Sequence, residues 1–389
     1  MESKTRIKGN VHYVGVNDRN KHRFEAMWPL PYGVSYNSYL IDDEMVALVD
    51  TVDICYFEVY LRRIKQVIGE RPINYLIINH MEPDHSGSIR LIKQHYPEII
   101  IVGNKQTFGM IEGFYGVTGE QYLVKEGDFL ALGHHKLRFY MTPMVHWPET
   151  MMTFDETDGV LFSGDGFGCF GTVDGGFLDT QINVDKYWGE MVRYYSNIVG
   201  KYGSPVQKAL QKLGGLPISA ICSTHGPVWT ENIAKVIGIY DRLSRYDADE
   251  GVVIAYGSMY GNTEQMAEAI AEELSAQGVK NIVMHNVTKS HPSYIIADIF
   301  RYKGLIIGSP TYSNQIFPEV EALLSKILLR EVKGRYLGYF GSFTWAGAAV
   351  KRLAEFAEKS KFELVGDPVE MKQAMKDLTY TPVSYTHLT

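Results

Sequence analysis

The sequence predicts an α/β protein with two domains: a sheet-on-sheet core with outer helices, then a doubly wound parallel sheet. At 389 residues the chain is too long for one ordinary core, and its apolar content of 45% is enough to pack two. Short β-like runs dominate the first part, whereas strands and helices alternate strictly from Val252 onward. The polar stretch 245–251 separates the two patterns as a linker. We therefore expect domains at residues 1–247 and 251–380.

In the first domain, β-like runs are followed by helical patterns. Apolar residues recur at helical spacing in Phe57–Ile68, which predicts a helix there. The other helices expected in this domain are 185–199, 205–213 and 231–243. The strands expected are 11–16, 35–41, 45–49, 75–79, 98–102, 137–141 and 160–162.

In the second domain, near-continuous apolar strands are separated by helices, which is typical of a parallel sheet covered on both faces. The predicted strands are 252–256, 282–285, 305–307, 336–340 and 362–365. The predicted helices are 263–276, 293–301, 318–329 and 348–359. We expect only a short helix at 371–378, and a tail at 381–389 that has no periodicity and is disordered or foreign to the native sequence.

Composition excludes several classes of protein. A net charge of −7 argues against a nucleic-acid binder, and no apolar run is long enough to span a membrane. The three cysteines, Cys55, Cys169 and Cys222, form no C-x-x-C pair, which argues against a rubredoxin-type site and favours buried thiols. The N-terminus lacks the apolar core of a signal peptide. These features predict a soluble, cytoplasmic protein.

The hexapeptide His80-Met81-Glu82-Pro83-Asp84-His85 contains four possible metal ligands directly after the apolar run 75–79. A strand fixes where the following loop begins, so several of these side chains can point towards one place. Two imidazoles and two carboxylates that converge there need a cation to offset repulsion and desolvation. A charged surface loop is the alternative for the hexapeptide taken alone.

Three further candidates follow apolar strands and open turns that contain glycine or proline: His146, Asp165 and His225. Each of them alone would more often be an ordinary hydrogen-bonded residue. Four strand ends that all carry ligand-type side chains are much less expected by chance. The sequence therefore predicts a metal site built from several strand ends.

These residues resemble the signature of the metallo-β-lactamase superfamily, which places H-x-H-x-D-H and then His, Asp and His at successive strand ends. Here Glu82 replaces the second histidine, which exchanges a neutral nitrogen donor for an anionic oxygen. Such a change favours iron over zinc. The pattern H-x-E-x-D-H is that of the flavodiiron proteins, and this resemblance covers roughly residues 4–370. It implies a metallo-β-lactamase-like αβ/βα sandwich for the first domain.

The resemblance also implies a role for each ligand of a diiron centre. One iron would be bound by His80, Glu82 and His146, and the other by Asp84 and His225. Asp165 would bridge the two irons, and His85 occupies a position that binds metal in some members and not in others. No catalytic residue beyond these metal ligands is expected.

The second domain contains three candidate ligand-binding loops. The first lies between the first strand and the first helix, where backbone N–H groups at a helix N-terminus attract an anion. It has no lysine or arginine, so a single phosphate monoester fits it better than a triphosphate, and a simple capped turn is the alternative. The loop consists of Ser258, Met259, Tyr260, Gly261, Asn262 and Thr263.

Two further loops follow the third and fourth strands, at the edge where open α/β sheets bind ligands. Each contains an aromatic residue that can border a flat ring, Tyr312 or Trp345, although either could be buried in the core instead. The loops are Ser309, Pro310, Thr311, Tyr312, Ser313 and Asn314, and then Ser342, Phe343, Thr344, Trp345, Ala346 and Gly347. Together the three loops resemble those of flavodoxin, which implies FMN as a cofactor.

The family resemblance implies an oxidoreductase that reduces dioxygen to water, nitric oxide to nitrous oxide, or both, with two iron ions and FMN as cofactors. It implies an external electron donor, such as rubredoxin or a rubredoxin/flavin reductase, and a head-to-tail homodimer or tetramer. Trp147 would lie at the dimer contact or in the core. Tyr195 and the pair Met151-Met152 are candidates for the groups around the irons that select the gas.

Two other functions are compatible with parts of the sequence. One is a zinc-dependent hydrolase fused to an FMN electron-transfer domain, against which Glu82 argues. The other is an electron-transfer module whose metal domain has lost its function and serves as a dimer scaffold. The presence of every expected ligand argues against that loss.

Overall fold

The structure is a computed structural model that describes residues 4–376. It divides into two compact units. Unit 1 contains the residues up to Tyr195 together with Tyr202–Asp241, and unit 2 contains Ser196–Lys201 and the residues from Arg242 onward. Unit 2 thus begins slightly earlier than the predicted linker, and the last residues of that linker already belong to a strand that starts at Asp249.

Unit 1 has two large sheets and two short two-stranded ribbons. Its strands are β1 Arg6–Lys8, β2 Val11–Tyr13, β3 Val16–Asp18, β4 Arg23–Phe24, β5 Trp28–Pro29, β6 Val34–Tyr36, β7 Tyr39–Ile41, β8 Ala47–Val49, β9 Tyr75–Ile77, β10 Ile100–Gly103, β11 Gln121–Leu123, β12 Phe129–Ala131, β13 Lys136–Met141, β14 Met151–Asp155, β15 Val160–Gly164 and β16 Ala220–Ser223. One sheet has the order β1-β2-β7-β8-β9-β10-β11, and the other has the order β12-β13-β14-β15-β16.

The helices of unit 1 cover these sheets. They are α1 Phe57–Ile68, α2 Pro83–Ser86, α3 Ile89–His95, α4 Lys105–Tyr115, α5 Asp185–Tyr194, α6 Gly203–Leu213 and α7 Ile233–Ser244. In α1, the buried residues Tyr60, Leu61 and Ile64 recur at the spacing that places them on one face of the helix. The helix predicted at 185–199 is α-helical only to Tyr194 and continues as a π-helical turn, Tyr195–Val199.

The core of unit 1 lies between its two large sheets. Ile41, Val49 and Ile77 come from the first sheet, and Phe139 and Phe162 come from the second, and all five belong to one buried cluster. Alternate residues of a strand point to opposite faces, so the inner faces of both sheets are apolar and pack together. The predicted sheet-on-sheet architecture is therefore confirmed.

Unit 2 is a parallel sheet with helices. Its strands are β17 Asp249–Tyr256, β18 Ile282–Asn286, β19 Tyr302–Tyr312, β20 Gln315–Ile316, β21 Tyr336–Phe343, β22 Glu363–Leu364 and β23 Val369–Lys372. Its helices are α8 Asn262–Ala276, α9 Pro292–Arg301, α10 Pro318–Arg330 and α11 Ala349–Ser360. The order β18-β17-β19-β21-β22 is that of a doubly wound sheet, as predicted. The short β20 pairs antiparallel with β19.

Two sequence predictions were wrong in detail. The short helix expected at 371–378 is a strand as far as Lys372, because β23 pairs in parallel with the second half of β21 and buries Met371. The residues after 376, including the tail 381–389, lie outside the described part. Of the three cysteines, Cys169 and Cys222 are buried as expected, but Cys55 is exposed.

Within residues 4–376, every helix is too short or too polar to cross a lipid bilayer.

Candidate metal centre and flavin-binding loops

The hexapeptide after β9 changes from an extended loop to a helix within its length. Pro83 occupies the first position of α2, where its fixed φ and missing N–H suit a helix start, and Glu82 is the N-cap residue. Asp84 and His85 therefore lie on the helix, while His80 and Glu82 precede it. This change of direction lets neighbouring residues in sequence serve two separate groups of ligands.

The other three candidates lie on loops at the same region of unit 1. Asp165 directly follows β15, and His225 lies shortly after β16. The prediction that His146 directly closes a strand was wrong, because β13 ends at Met141 and His146 lies in the turn that leads to β14. All of these candidates nevertheless converge with the hexapeptide.

Four of the side chains form a first ligand group: His80, Glu82, His146 and Asp165. The Nε2 atom of His146 lies 3.1 Å from Glu82 Oε2 and 2.9 Å from Asp165 Oδ2. The Nε2 atom of His80 lies 3.3 Å from His146 Nε2 and 3.6 Å from Asp165 Oδ2. These donor atoms are close enough together to share one cation.

The other three side chains form a second group: Asp84, His85 and His225. The Nε2 atom of His85 lies 3.3 Å from Asp84 Oδ1, and the Nε2 atom of His225 lies 3.4 Å from Asp84 Oδ2. His85 thus points into the group together with its neighbours.

Asp165 lies between the two groups. Its Oδ2 atom faces His146, as given above, whereas its Oδ1 atom lies 2.9 Å from His85 Nε2 and 3.7 Å from His225 Nε2. The hydroxyl of Thr224 also donates a hydrogen bond to Oδ1 and fixes the carboxylate. One oxygen directed at each group is the geometry that a bridging carboxylate requires.

The seven side chains are all buried, so their charges act strongly on one another. Burial alone would lower the pKa of His85 and His146, but the neighbouring carboxylates outweigh it and raise the pKa of each to about 9. Burial would raise the pKa of Asp165, but His85 and His80 hold it well below its ordinary value.

Several buried atoms of the site have no hydrogen-bond partner among the described residues. They are both carboxylate oxygens of Asp84, Nδ1 of His85 and Nε2 of His225. Buried polar atoms are rarely left without a partner, and these belong to residue types that bind metals. Three carboxylates and four imidazoles in two adjoining groups fit a pair of cations, and the oxygen-rich set suits iron.

Three hydrogen-bond acceptors hold the candidate ligands from outside, and sequence reasoning missed all of them. Asp50 accepts hydrogen bonds from the backbone N–H groups of Asn79 and His80. Glu149 accepts one from Nδ1 of His80, and the carbonyl of Ser35 accepts one from Nδ1 of His225. The position of Glu149, three residues after His146 in an otherwise apolar turn, was a usable signal.

Aromatic rings surround the candidate ligands. Phe24, Tyr36 and Tyr194 lie with ring centroids 5.2, 6.1 and 5.6 Å from that of His225. Trp147 is half-buried and lies edge-on to His80, with the ring centroids 5.3 Å apart, so it is not a fully buried core residue. Its position at a dimer contact stays a prediction. These rings give the candidate ligands an apolar surrounding.

The role of Tyr195 and the pair Met151-Met152 in gas selection stays a prediction, and the structure shows what packs around Tyr195 and Met152. Tyr195 packs edge-on against Tyr240, whereas it is Tyr194 whose ring borders His225. Burial raises the pKa of the Tyr194 phenol well above its ordinary value, and Asp165 raises it further. Met152 lies against Gly166, the residue after Asp165, so it packs beneath that turn.

In unit 2, the first candidate loop leads from β17 into α8. Gly261 is the N-cap residue of α8 and has a φ of 88°, which glycine tolerates well. Because glycine has no side chain, the N-cap residue does not cap the N–H groups of this helix start. Ser258 Oγ accepts a hydrogen bond from the N–H of Gly261, which tightens the turn. A Cβ added to Gly261 would meet nothing within 4 Å, so space is open at this helix N-terminus.

The other two loops begin inside strands, which the sequence prediction did not show. β19 continues to Tyr312, and only Ser313 and Asn314, with φ of 48° and 56°, form the turn into β20. β21 continues to Phe343, so residues 344–347 are the actual loop. Both strands are longer than predicted because their ends pair with the short strands β20 and β23.

The three loops lie at the carboxyl ends of the adjacent strands β17, β19 and β21. Thr263 and Ser342 share a hydrogen bond of 2.8 Å, which joins the first loop to the third. Tyr312 is 47% exposed and Trp345 is 81% exposed, so the alternative that these rings are buried in the core is wrong. Exposed aromatic faces beside a free helix N-terminus fit a flat ring that carries a phosphate.

Comparison with known protein families identifies both units. Residues 34–226 match the family described as "ODP family beta lactamase", and residues 254–381 match the family described as "Flavodoxin". The first match includes every candidate metal ligand, and the second includes all three loops.

Relatives with known names match nearly the whole chain. The chain is 32% identical over 363 residues to the anaerobic nitric oxide reductase flavorubredoxin of Vibrio vulnificus, and the match covers 92% of this chain and 73% of that relative. The protein of the same name from an Escherichia coli O1:K1 strain is 31% identical, with 92% of this chain and 76% of that relative covered.

Solved structures match the fold over both units. Rubredoxin oxygen:oxidoreductase from the anaerobe Desulfovibrio gigas has a TM-score of 0.94 at 31% identity, with 98% of this chain and 96% of that chain covered. The flavodiiron protein from Giardia intestinalis has a TM-score of 0.93 at 27% identity, with 97% and 93% covered.

Proposed function

Because the chain belongs to the flavodiiron protein family, we propose that it reduces dioxygen to water, nitric oxide to nitrous oxide, or both. The reaction would take place at two irons held by unit 1, with electrons supplied through FMN held by unit 2. We propose functional domains at residues 1–247 and 251–380.

The strongest support for this proposal is that a single buried carboxylate, Asp165, directs one oxygen to each of two adjoining ligand groups. A lone metal would not require that geometry, whereas a pair of cations would. His80, Glu82 and His146 would hold one iron, Asp84, His85 and His225 the other, and Asp165 would bridge them.

Electron counting supports FMN as the partner of the metal pair. When bound, two irons supply one electron each and reduced FMN supplies two, which matches the four electrons and four protons that convert dioxygen to two waters. Nitrous oxide formation from two nitric oxide molecules needs two electrons and two protons and releases one water. Around the ligands, the rings of Phe24, Tyr36 and Tyr194 would keep bulk water away while a diatomic gas enters.

The decisive experiment is an anaerobic single turnover. The full chain, loaded with iron and FMN and reduced, is mixed with one equivalent of dioxygen or with four equivalents of nitric oxide, because either amount accepts the four electrons that the two irons and FMN hold. We expect flavin reoxidation together with formation of water or nitrous oxide in at least one of the two mixtures. Stable reduced flavin in both mixtures would overturn the proposal.

Metal analysis separates this function from the hydrolase alternative. Protein expressed in medium that contains both metals should carry about two irons per chain and little zinc, because the site offers three carboxylates. Two zinc ions per chain, with hydrolysis of an ester or lactam substrate and no gas reduction, would favour the hydrolase.

We propose that the electron donor is a rubredoxin-type protein. The relative of known structure from Desulfovibrio gigas is named rubredoxin oxygen:oxidoreductase. Reduced rubredoxin should reoxidise rapidly when the loaded chain and a gas are both present. Failure of both rubredoxin and a rubredoxin/flavin reductase to deliver electrons would reject this donor class.

We further propose a head-to-tail homodimer, or a tetramer built from such dimers, in which FMN of one subunit serves the irons of its partner. Two inactive variants test it: Asp165→Asn lacks the bridging carboxylate, and Ser258→Asp places a negative charge in the phosphate loop. Unfolded and refolded together, they should recover about a quarter of wild-type activity, because half of the dimers would be mixed and each would hold one competent pair.

Mixed dimers that form but show no activity would contradict transfer between subunits. A monomeric variant should likewise keep both cofactors yet lose turnover. Full gas reduction by a verified monomer would defeat the dimer proposal.

A further inference from the structure

Glu149 is a fully buried carboxylate that touches a candidate ligand from outside the ligand set. Its Oε1 atom accepts hydrogen bonds from Nδ1 of His80 at 2.8 Å and from the backbone N–H of Met81 at 2.9 Å. Its Oε2 atom has no hydrogen-bond partner among residues 4–376. Such a charge is costly to bury, so its position next to His80 calls for a functional reason.

The backbone around Glu149 is also held in place. The side-chain amide of Asn104 donates a hydrogen bond of 2.6 Å to the carbonyl of Glu149. His146 precedes Glu149 by three residues on the same turn, so this turn supplies one ligand of the first group and orients another.

The two ligand groups differ in the hydrogen-bond partners of the Nδ1 atoms of their histidines. In the second group, Nδ1 of His225 donates to the neutral carbonyl of Ser35 at 2.7 Å, and Nδ1 of His85 has no hydrogen-bond partner in the described residues. Only the first group therefore has a histidine whose outer nitrogen bonds to an anion. A carboxylate partner fixes the tautomer of a ligand histidine and makes its other nitrogen a stronger donor.

We propose that Glu149 is a positioning residue that keeps the Nδ1 proton on His80, directs Nε2 towards the metal and makes the first group the tighter of the two metal positions. This inference rests on the proposed function, because it concerns the same metal pair. It predicts two unequal binding steps, in which the first metal enters the position of His80, Glu82 and His146.

The test uses Glu149→Gln in the full chain. The amide has the same shape and still offers an oxygen to His80 and Met81, but it carries no charge. Metal-free wild type and variant are titrated anaerobically with Fe²⁺, and separately with Co²⁺, whose visible absorption reports ligand geometry. We expect the tighter step to weaken about 10–100-fold in Glu149→Gln and the weaker step to stay unchanged, because loss of a ligand's hydrogen-bond partner typically costs that much affinity.

A matched control is Asp179→Asn. Asp179 is also a buried carboxylate in unit 1 that accepts backbone hydrogen bonds, in its case from Thr230 and Asn232, but it bonds to no candidate ligand. This control should bind both metals like wild type even if its melting temperature falls. If Glu149→Gln does not fold, Glu149→Asp serves instead, since it keeps the charge but withdraws it from His80.

Identical titrations and identical Co²⁺ spectra for wild type and Glu149→Gln would overturn the inference, as would equal weakening of both steps. That failure is distinct from failure of the proposed function, which would show as wild-type protein that binds two metals yet reduces neither gas. A melting temperature of the metal-free variant close to wild type would show that the effect on affinity is not a loss of folding.

Discussion

The metal ligands and the flavin loops represent two opposite ways of building a site. The seven candidate ligands are buried side chains of unit 1, and all of them except His146 are held by a strand end, a helix start or a hydrogen bond from outside. The flavin loops of unit 2 offer a free helix N-terminus, hydroxyl groups and exposed rings such as Trp345. The first site concentrates charge, whereas the second has no charged side chain in any of its loops.

This difference follows from what each ligand demands. The attraction of two cations offsets the free-energy cost of burying three carboxylates. The fold must also hold the ligands in place before the metal binds. A flavin phosphate can be held by backbone N–H groups, and its ring needs only flat neighbours. We therefore expect single mutations to reduce metal binding and activity by large factors at the metal site, and to reduce FMN affinity by small factors at the flavin loops.

The largest effect is expected for Asp165→Asn. An amide cannot neutralise two cations, so iron should fall below one per chain, with a loss of gas reduction of about 100-fold or more, since even an indirect hydrogen-bond partner is typically worth 10–100-fold. Inductively coupled plasma analysis measures the iron, and absorbance measures FMN, which should be unchanged. Two irons and normal turnover in Asp165→Asn would mean that the carboxylate does not bridge.

The next effect concerns pH in the metal-free protein. The folded pKa values of His85 and His146 are raised to about 9, so these groups stabilise the metal-free fold fully below their unfolded pKa near 6.5, and this contribution is lost as pH rises towards 9. As pH rises from about 6.5 to about 9, the denaturant concentration that unfolds half of the metal-free protein should therefore decrease, because these two histidines lose their protons.

The same shifts predict proton release during metal binding. At pH 7 both imidazoles are protonated in the metal-free fold, and a metal needs their Nε2 atoms free, so loading should release about two protons from this pair. Calorimetry in buffers of different ionisation enthalpy counts them. Binding of both metals without net proton release would show that these histidines are not ligands.

The smallest effect is expected for Trp345→Ala. Its ring is 81% exposed in the free chain, so removal should leave stability unchanged while FMN affinity falls roughly 3–10-fold, as expected for one aromatic contact. Tyr336→Ala is the control, because this ring is also exposed but lies at the opposite end of β21. Equal losses in both variants, measured by flavin fluorescence, would place the flavin elsewhere.

Much of the fold could be predicted because local patterns and tertiary packing agree. The helix Phe57–Ile68 was predicted at its observed bounds, since its apolar spacing reports the face that packs. The prediction failed where pairing between distant segments overrides local preference. The sequence around Met371 predicts a helix, but Met371 lies in a strand because the second half of β21 pairs with β23. The long ends of β19 and β21 were missed for the same reason.

The sequence by itself determined which chemistry is present, because ligand-type residues at strand ends and the replacement of histidine by Glu82 can be read without coordinates. Only the tertiary structure decided how those residues divide into two groups, that Asp165 faces both, and that Glu149 supports His80. The physical reason is that ligand type is a property of each residue, whereas shared coordination and hydrogen bonds depend on distances of a few ångströms. Those distances are set when loops far apart in the chain pack together.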